Sequence, residues 1–463
     1  MDKLAALNDF IWNYIMVALM LGSALWFTFR LRFVQFSMFP EMLRLMKNSA
    51  ASGRKPTRNV SSFEALMLSL ASRVGVGNLA GVTLAITAGG PGAIFWMWVM
   101  ALLNAATAFA EATLAQLYKT RENGLFTGGP AYYIYRGLKN RYMAFAVVFL
   151  TVVTFSYTFC SVQSNTIAIS ADKAFGIDPY VSALLVGGLM VAVVFGGVKR
   201  IVKITGILVP VMAVAYILMA VYVVAANIER LPEVLRLVVD DAFGIRQIAG
   251  GGVAAAFMQG AKRGLFSNEA GMGAAPNAAA TADVAHPVNQ GLLQALGVFI
   301  DTILICSCTA FIILLSASGA PEGLTGIEMT QYALSGSTGL WAYQFVAVIV
   351  FFFGFSTCIS NTYYGESNVR FLSDNPAVLF VFRIVAVLLV MAGAVVPLDF
   401  IWTLADFFLI FIVIINLVSL LGLGRHVFAL LNDYRGQKRS GIPEPVFRKK
   451  DIPPLNVPDV ECW

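Results

Sequence analysis

Ser72-Arg-Val-Gly-Val-Gly-Asn-Leu-Ala-Gly81 lies inside an apolar segment that begins near Phe63 and ends at Gly89-Gly-Pro-Gly92. The segment is long enough to cross a bilayer, for which roughly 20 residues suffice. Its centre nevertheless holds an arginine, an asparagine and three glycines. A glycine inside a helix costs about 1 kcal/mol against alanine. A buried arginine costs at least about 2.5 kcal/mol on insertion scales. A helix whose only task is to span would not carry these residues. The stretch predicts a helix broken over Val74 to Asn78, its freed amides and carbonyls facing a cavity, where irregular backbone is tolerated at membrane depth.

The rest of the composition agrees. Of 463 residues, 58% are hydrophobic and 13% charged, with mean hydropathy +0.76, whereas soluble domains carry about 25% charged residues. The chain is a polytopic membrane protein, and no nucleic-acid partner is expected. The first apolar run, Phe10 to Phe29, is too long for a signal-peptide core and lacks a small-residue cleavage site. Cys160, Cys306, Cys308 and Cys358 lie in apolar runs and read as small core residues; Cys462 is near the end.

A sliding apolar window gives about eleven spans. They are near Phe10 to Phe29, Phe63 to Ala88, Ala93 to Tyr118, Met143 to Ala171, Tyr180 to Gly197 and Gly206 to Ala226. The others are near Gly250 to Ala282, Val288 to Ala317, Leu340 to Tyr364, Pro376 to Val396 and Phe400 to Leu423. An outside amino end places 24 of the 32 lysines and arginines in inside segments, so the positive-inside rule favours amino end out and carboxyl end in. The tail from Gly436 mixes charges with five prolines and reads as a disordered cytoplasmic extension. The outer loop Ile228 to Gln247 is expected to hold a short interfacial helix near Pro232 to Val239.

A second unusual stretch is Met258-Gln-Gly-Ala-Lys-Arg-Gly-Leu-Phe-Ser-Asn-Glu-Ala-Gly-Met-Gly-Ala-Ala-Pro276. Ser267-Asn268-Glu269 looks like a helix start, since a serine or asparagine cap accepts an orphan amide and an acid suits the positive end. One half is expected to end near Gly264 and the other to begin near Ser267. With the first span set aside, each interruption opens a set of five helices, and the two sets are inverted. Matching interruptions in inverted halves point to a transporter's central site. The organisation is then residues 1–61 with an extra helix, 62–227 and 248–424 as the two repeats, and 425–463 as the tail.

The quoted motifs, with Gly89-Gly-Pro-Gly-Ala-Ile-Phe-Trp-Met-Trp98 and Gly128-Gly-Pro-Ala-Tyr-Tyr133, resemble the alanine or glycine:cation symporter family over about Phe10 to Leu423. These bacterial and archaeal carriers couple sodium to small amino acids. The resemblance implies a ten-helix inverted-repeat core like that of amino-acid and neurotransmitter sodium symporters, plus one extra helix, in a bacterial inner membrane. One departure stands out. The family usually has a Gly-Trp pair just before Tyr363-Tyr-Gly-Glu366, and this chain has Ser360-Asn361-Thr362, which bears on the preferred substrate.

A zwitterionic amino acid needs both charges met. Gly75, Gly77 and Asn78 offer free amides, a positive helix end and a carboxamide for a carboxylate; the plain alternative is that the glycines only let helices pack closely. Carbonyls near Gly264 to Phe266, with Ser267 and Asn268, are candidates for the ammonium. Phe266 either walls the pocket or merely packs. Gln163 is either a substrate contact or a helix-to-helix hydrogen bond. For sodium, the expected oxygens are the Val74 and Gly77 carbonyls and the Ser356 and Thr357 hydroxyls, the resemblance implying a site between these helices. The alternative is that both hydroxyls bond back to their own helix. A proton could replace sodium if Glu111, Asp301 or Asp406 titrated, although each is expected chiefly as a partner for Arg73, Lys262 or Arg263.

The reading is a sodium-coupled symporter for alanine, glycine or a similar small neutral amino acid. The alternatives are a proton-coupled carrier, or a channel, for which no repeated filter loop is visible. An intramembrane enzyme is disfavoured. The chain's two histidines, His286 and His426, join no metal or nucleophile motif.

Overall fold

The computed structural model describes residues 2–51, 60–122, 124–244, 252–316, 321, 323–324, 326–455 and 458–463. Arg54, Lys55, Arg58 and Arg246 of the charge count, and the expected span start at Gly250, lie outside these residues.

The elements are almost all helical. In chain order they are α1 (Leu7–Arg30), α2 (Phe39–Ala51), α3 (Ser62–Arg73), α4 (Ala80–Gly89) and α5 (Gly92–Leu117). A short hairpin, β1 (Thr120–Glu122) and β2 (Leu125–Thr127), leads to α6 (Pro130–Gly137). Then come α7 (Arg141–Phe175), α8 (Pro179–Val194), α9 (Val198–Ala226) and α10 (Leu231–Ala242). The second half has α11 (Gly252–Asn268), α12 (Ala275–Ala279), α13 (Pro287–Ser316), α14 (Gly326–Thr338), α15 (Ala342–Leu372), α16 (Pro376–Gly393) and α17 (Leu398–Arg439).

Among the described residues, eight helices are long and apolar enough to cross a membrane, or nine with the bent pair α3–α4. Eleven is reached only by adding the shorter α8 and the second interrupted segment, α11–α12. The outward faces are apolar. Ile207, Val211, Val214, Leu218 and Val221 line one exposed face of α9 at helical spacing, a surface that suits lipid and would be a liability in water.

The halves meet through matching elements. The helix after the first break, α5, packs on its counterpart α13; α7 packs on α15, and α8 on α16. The next pair crosses reciprocally, α9 against α15 and α17 against α7. That is the contact pattern of two inverted repeats around one axis.

One expectation is corrected. The tail does not trail away as a disordered extension. Helix α17 continues to Arg439, and Phe447, Leu455 and Val460 are buried. The Phe447 amide donates to the Ala285 carbonyl, and the Trp463 indole donates to the Gln116 carbonyl at 3.0 Å. Helix α10 (Leu231–Ala242) lies in the segment Ile228 to Gln247 where a short helix is expected.

Candidate functional site

The first break stands where the glycines place it. Helix α3 ends at Arg73, a turn covers Val76–Asn78, and α4 leaves at 59° to α3. Two side chains hold the turn. The Asn78 Oδ1 accepts the Gly75 amide at 3.0 Å, and the Gln163 Oε1 on α7 accepts the Val76 amide at 3.0 Å. Gly75 is required by proximity: a Cβ there would lie 2.6 Å from Thr357 Oγ1 and 2.9 Å from Gln163 Oε1. Asn78 is fully buried, and its own amide donates to the Gly75 carbonyl, so it is not the free donor expected. Within Val74–Asn78, Gly77 is the partly exposed position.

The second break falls later than expected. Helix α11 runs unbroken through Gly264 and Ser267 to Asn268; the irregular stretch is Glu269 to Ala274, followed by α12. Ser267 does not cap a new half-helix because its hydroxyl donates instead to Asp301 Oδ2 on α13 at 2.6 Å. Asn268 turns the chain at the end of α11, its Oδ1 accepting the Ala270 amide at 3.1 Å. Glu269 adopts the left-handed conformation, φ +53°, which costs a residue with a Cβ about 1–2 kcal/mol. Strain of this kind gathers at functional sites. The carbonyl end of α11 therefore lies at Phe266 to Asn268, later than the expected Gly264 to Phe266.

The two breaks are tied through α13. The Asn78 carboxamide donates to Asp301 Oδ1 at 2.6 Å and to Ser267 Oγ at 3.1 Å, and the Thr302 hydroxyl donates to Asp301 Oδ2 at 2.9 Å. Asp301 thus has three donors and is not an ion-pair partner of Arg73, whose Nη1 donates to the Gln294 carbonyl at 3.0 Å. Glu111 instead accepts from the Gly273 amide and the Asn416 carboxamide. Of the expected pairs, Lys262 with Asp406 forms, at 3.0 Å.

An aromatic wall covers Gly77. A Cβ on Gly77 would touch the Phe266 ring at 3.6 Å. Phe266 stacks on Phe159 with centroids 4.7 Å apart and tilts against Trp402 at 4.8 Å. Sequence reasoning missed both partners, since an aromatic in an apolar span reads as ordinary packing.

Of the expected sodium oxygens, the Thr357 hydroxyl is the one that reaches the first broken helix. The Thr357 hydroxyl on α15 lies 2.9 Å from the Ala71 carbonyl, 3.3 Å from that of Ser72 and 3.0 Å from that of Phe353. One hydroxyl hydrogen cannot serve three carbonyls, and such an oxygen surplus suits a monovalent cation. Ser356 donates back to Phe353 at 2.9 Å, the alternative weighed above. Gly75 rather than Gly77 adjoins Thr357, and Ala71 and Phe353 supply oxygens that the sequence did not single out. Val74 ends α3 at this point, with ψ 79° turning its backbone out of the helix.

The chain resembles known transporters along nearly its whole length. It is 46% identical over 456 residues to the probable sodium/glutamine symporter GlnT of Bacillus subtilis, spanning 98% of this chain and 94% of that protein. It is 46% identical over 458 residues to the amino-acid carrier protein AlsT of the same organism, 98% and 96% of the two chains. The sodium/alanine symporter AgcS of Methanococcus maripaludis is 36% identical over 421 residues, 89% and 92% of the two chains. A manganese transporter from Eremococcus coleocola shares the fold at 15% identity, with a TM-score of 0.54 over 86% of this chain and 90% of that one. The profile of the sodium:alanine symporter family matches residues 1–449. The chain belongs to that family: it is a multi-pass membrane protein that performs secondary active transport, and it is not an enzyme.

Proposed function

We propose that the chain moves alanine, glycine or a similar small neutral amino acid together with sodium, by alternating access. The observation that carries this reading is the partly exposed Gly77, set in the first break and roofed by Phe266 of the second broken helix. The substrate carboxylate would meet the Gly75 to Asn78 turn, whose shape Asn78 and Gln163 hold. The ammonium would meet the carbonyl end of α11, at Phe266, Ser267 and Asn268. Sodium would sit between α3 and α15, held by Val74 and Ala71 carbonyls and the Ser356 and Thr357 hydroxyls. The amino end would face outside and the carboxyl end the cytoplasm, in the bacterial inner membrane.

The energetics suffice. One charge moving down about 100 mV gains about 2.3 kcal/mol, which supports roughly 50-fold accumulation before any sodium gradient is added. A roof of one aromatic ring separates single methylenes by only about 1–3 kcal/mol, so moderate selectivity is expected.

A second substrate, glutamine, is favoured by two features. A relative 46% identical is named a probable sodium/glutamine symporter. Ser360-Asn361-Thr362 stands before Tyr363 where the family usually has a Gly-Trp pair, a departure that bears on the preferred substrate.

The test is isotope uptake into proteoliposomes. Labelled alanine, glycine, serine and glutamine would be compared with external sodium and with choline. Sodium-dependent accumulation of alanine or glycine, and exchange of labelled against unlabelled substrate, supports the reading. Uptake indifferent to sodium would reject the coupling ion, and accumulation of glutamine alone would move the substrate to the second reading.

A further inference from the structure

Behind the roofed turn lies a buried polar cluster that the transport reading does not use. Glu269, in the second break, is 2% exposed. Both of its carboxyl oxygens lie 2.9 Å from the Ser72 Oγ, and the same Oγ lies 2.7 Å from the Asn361 Oδ1 on α15. Three acceptor oxygens therefore surround a hydroxyl that owns one hydrogen. Turning the Asn361 amide over gives Ser72 another donor, yet the two Glu269 oxygens still share a single hydrogen. Asp301 differs, because its carboxylate receives donors from Asn78, Ser267 and Thr302.

We propose that Glu269 is a proton-binding site, protonated in the arrangement seen here and in the form that transports, and ionised as pH rises. The protonated carboxyl donates to Ser72 Oγ, and Ser72 donates to Asn361 Oδ1. Every hydrogen then has one acceptor. Deprotonation returns the proton to water and leaves a buried carboxylate with one shared donor, an expensive state.

The surroundings point the same way. The charged and titratable groups facing Glu269 are Arg73 from α3, Asp301 from α13, Glu111 from α5 and Tyr364 from α15. Among the described residues no ion pair forms with Glu269, and Arg73 keeps its Nε and Nη2 without partners although it is 2% exposed. A single arginine thus faces three buried carboxylates. With Glu269 neutral, Arg73 and one transported sodium balance Glu111 and Asp301; with Glu269 ionised they do not. Asn361 adds an unpartnered, fully buried Nδ2 beside the pair.

The inference rests on the transport reading for one assay and is independent of it in the other. In proteoliposomes with sodium fixed, alanine uptake by the wild type should fall as pH rises, approaching about tenfold per pH unit once Glu269 ionises. Glu269→Gln, whose amide keeps a donor for Ser72, should retain sodium-dependent uptake and lose this slope. An unchanged slope in Glu269→Gln would overturn the proposal, as would a pH-flat wild type. The second assay needs no transport. The infrared carbonyl band of a protonated carboxyl should be present in purified wild type near neutral pH, absent in Glu269→Gln and retained in Asp301→Asn. A band unchanged by Glu269→Gln overturns the proposal even if alanine proves not to be the substrate.

Discussion

Asn78 donates its carboxamide to the Asp301 carboxylate at 2.6 Å, while its Oδ1 accepts the Gly75 amide at 3.0 Å. One side chain therefore shapes the first break and fastens it to the middle of α13. Its function is to hold the backbone in a geometry that a ligand can use, and positioning of this kind must be tight to be effective.

Asn78→Ala removes a donor from a fully buried carboxylate and an acceptor from a buried amide. Each unsatisfied group costs about 1–3 kcal/mol. The variant should insert into membranes and purify, melt below the wild type, and show no sodium-driven alanine uptake. Uptake at the wild-type rate would show that the turn keeps its shape without Asn78.

Thr357 touches carbonyls of both α3 and α15. Thr357→Val keeps the volume and removes the hydroxyl. The sodium concentration for half-maximal uptake should rise about tenfold or more, corresponding to about 1.4 kcal/mol of lost ion binding. Thr357→Ser should stay near the wild type. Equal sodium dependence in Thr357→Val and the wild type would place the ion elsewhere.

Gly75→Ala acts at the same spot by crowding. Its new Cβ would stand 2.6 Å from Thr357 Oγ1 and 2.9 Å from Gln163 Oε1. Overpacking typically costs about 1–3 kcal/mol. The variant is expected to lose uptake and thermal stability together, whereas Gly81→Ala, where a Cβ meets nothing within 4 Å, should be close to neutral. Thermal melts of the two purified variants make the comparison.

The first break was legible because its residues are wrong for a spanning helix: glycines, an arginine and an asparagine cannot be explained by burial alone. The second break was visible as an interruption, but its position was not. Ser267-Asn268-Glu269 has the composition of a helix start, yet Ser267 found Asp301, 34 residues away, as its partner. A hydroxyl that could cap locally and one that bonds across the bundle look alike in a sequence. Gln163 was rightly placed inside the bundle, but nothing in its neighbourhood told that it would grip the Val76 amide. The tail was misread for a related reason. Phe447, Leu455 and Val460 are isolated among prolines and charges, with no period to announce a packed face.

Glu41 on α2 lies outside the spans and ties α2 to the end of α17. It bonds Arg44 at 2.6 Å, Tyr434 at 2.7 Å and Lys438 at 3.0 Å. Burial alone would raise its carboxyl, but these three hydrogen bonds outweigh it and hold the group below its ordinary value of 4.5. A lowered native carboxyl stabilises the fold above the ordinary value, and that stability is lost as pH falls toward the native one. The wild type should therefore lose melting temperature between about pH 5 and pH 3, and Glu41→Gln should lose less over the same interval. Parallel melting curves for the two proteins would remove Glu41 from the account.

The packed tail makes a last claim that can be measured. Beyond α17, Glu461 pairs with Arg136 on α6 at 3.0 Å, and the Trp463 ring lies 4.5 Å from the Lys119 ammonium just past α5. Lys119 is itself buried and donates to the Ala282 carbonyl at 3.0 Å. Phe447 and Val460 fill the space between, so the tail joins α5, α6 and the segment before α13. Burying an aliphatic or aromatic side chain stabilises by about 1.5–3 kcal/mol. Part of that is offset by the ordering of a proline-rich chain. Truncation after Ser440 should lower the melting temperature of the detergent-solubilised protein by a few degrees, about 1 °C per kcal/mol for a chain of 463 residues. Trp463→Ala should reproduce part of the loss, because it removes both the cation–π contact and the hydrogen bond to Gln116. A truncated protein that melts with the full chain would mean that the tail rests on the helix ends without holding them together.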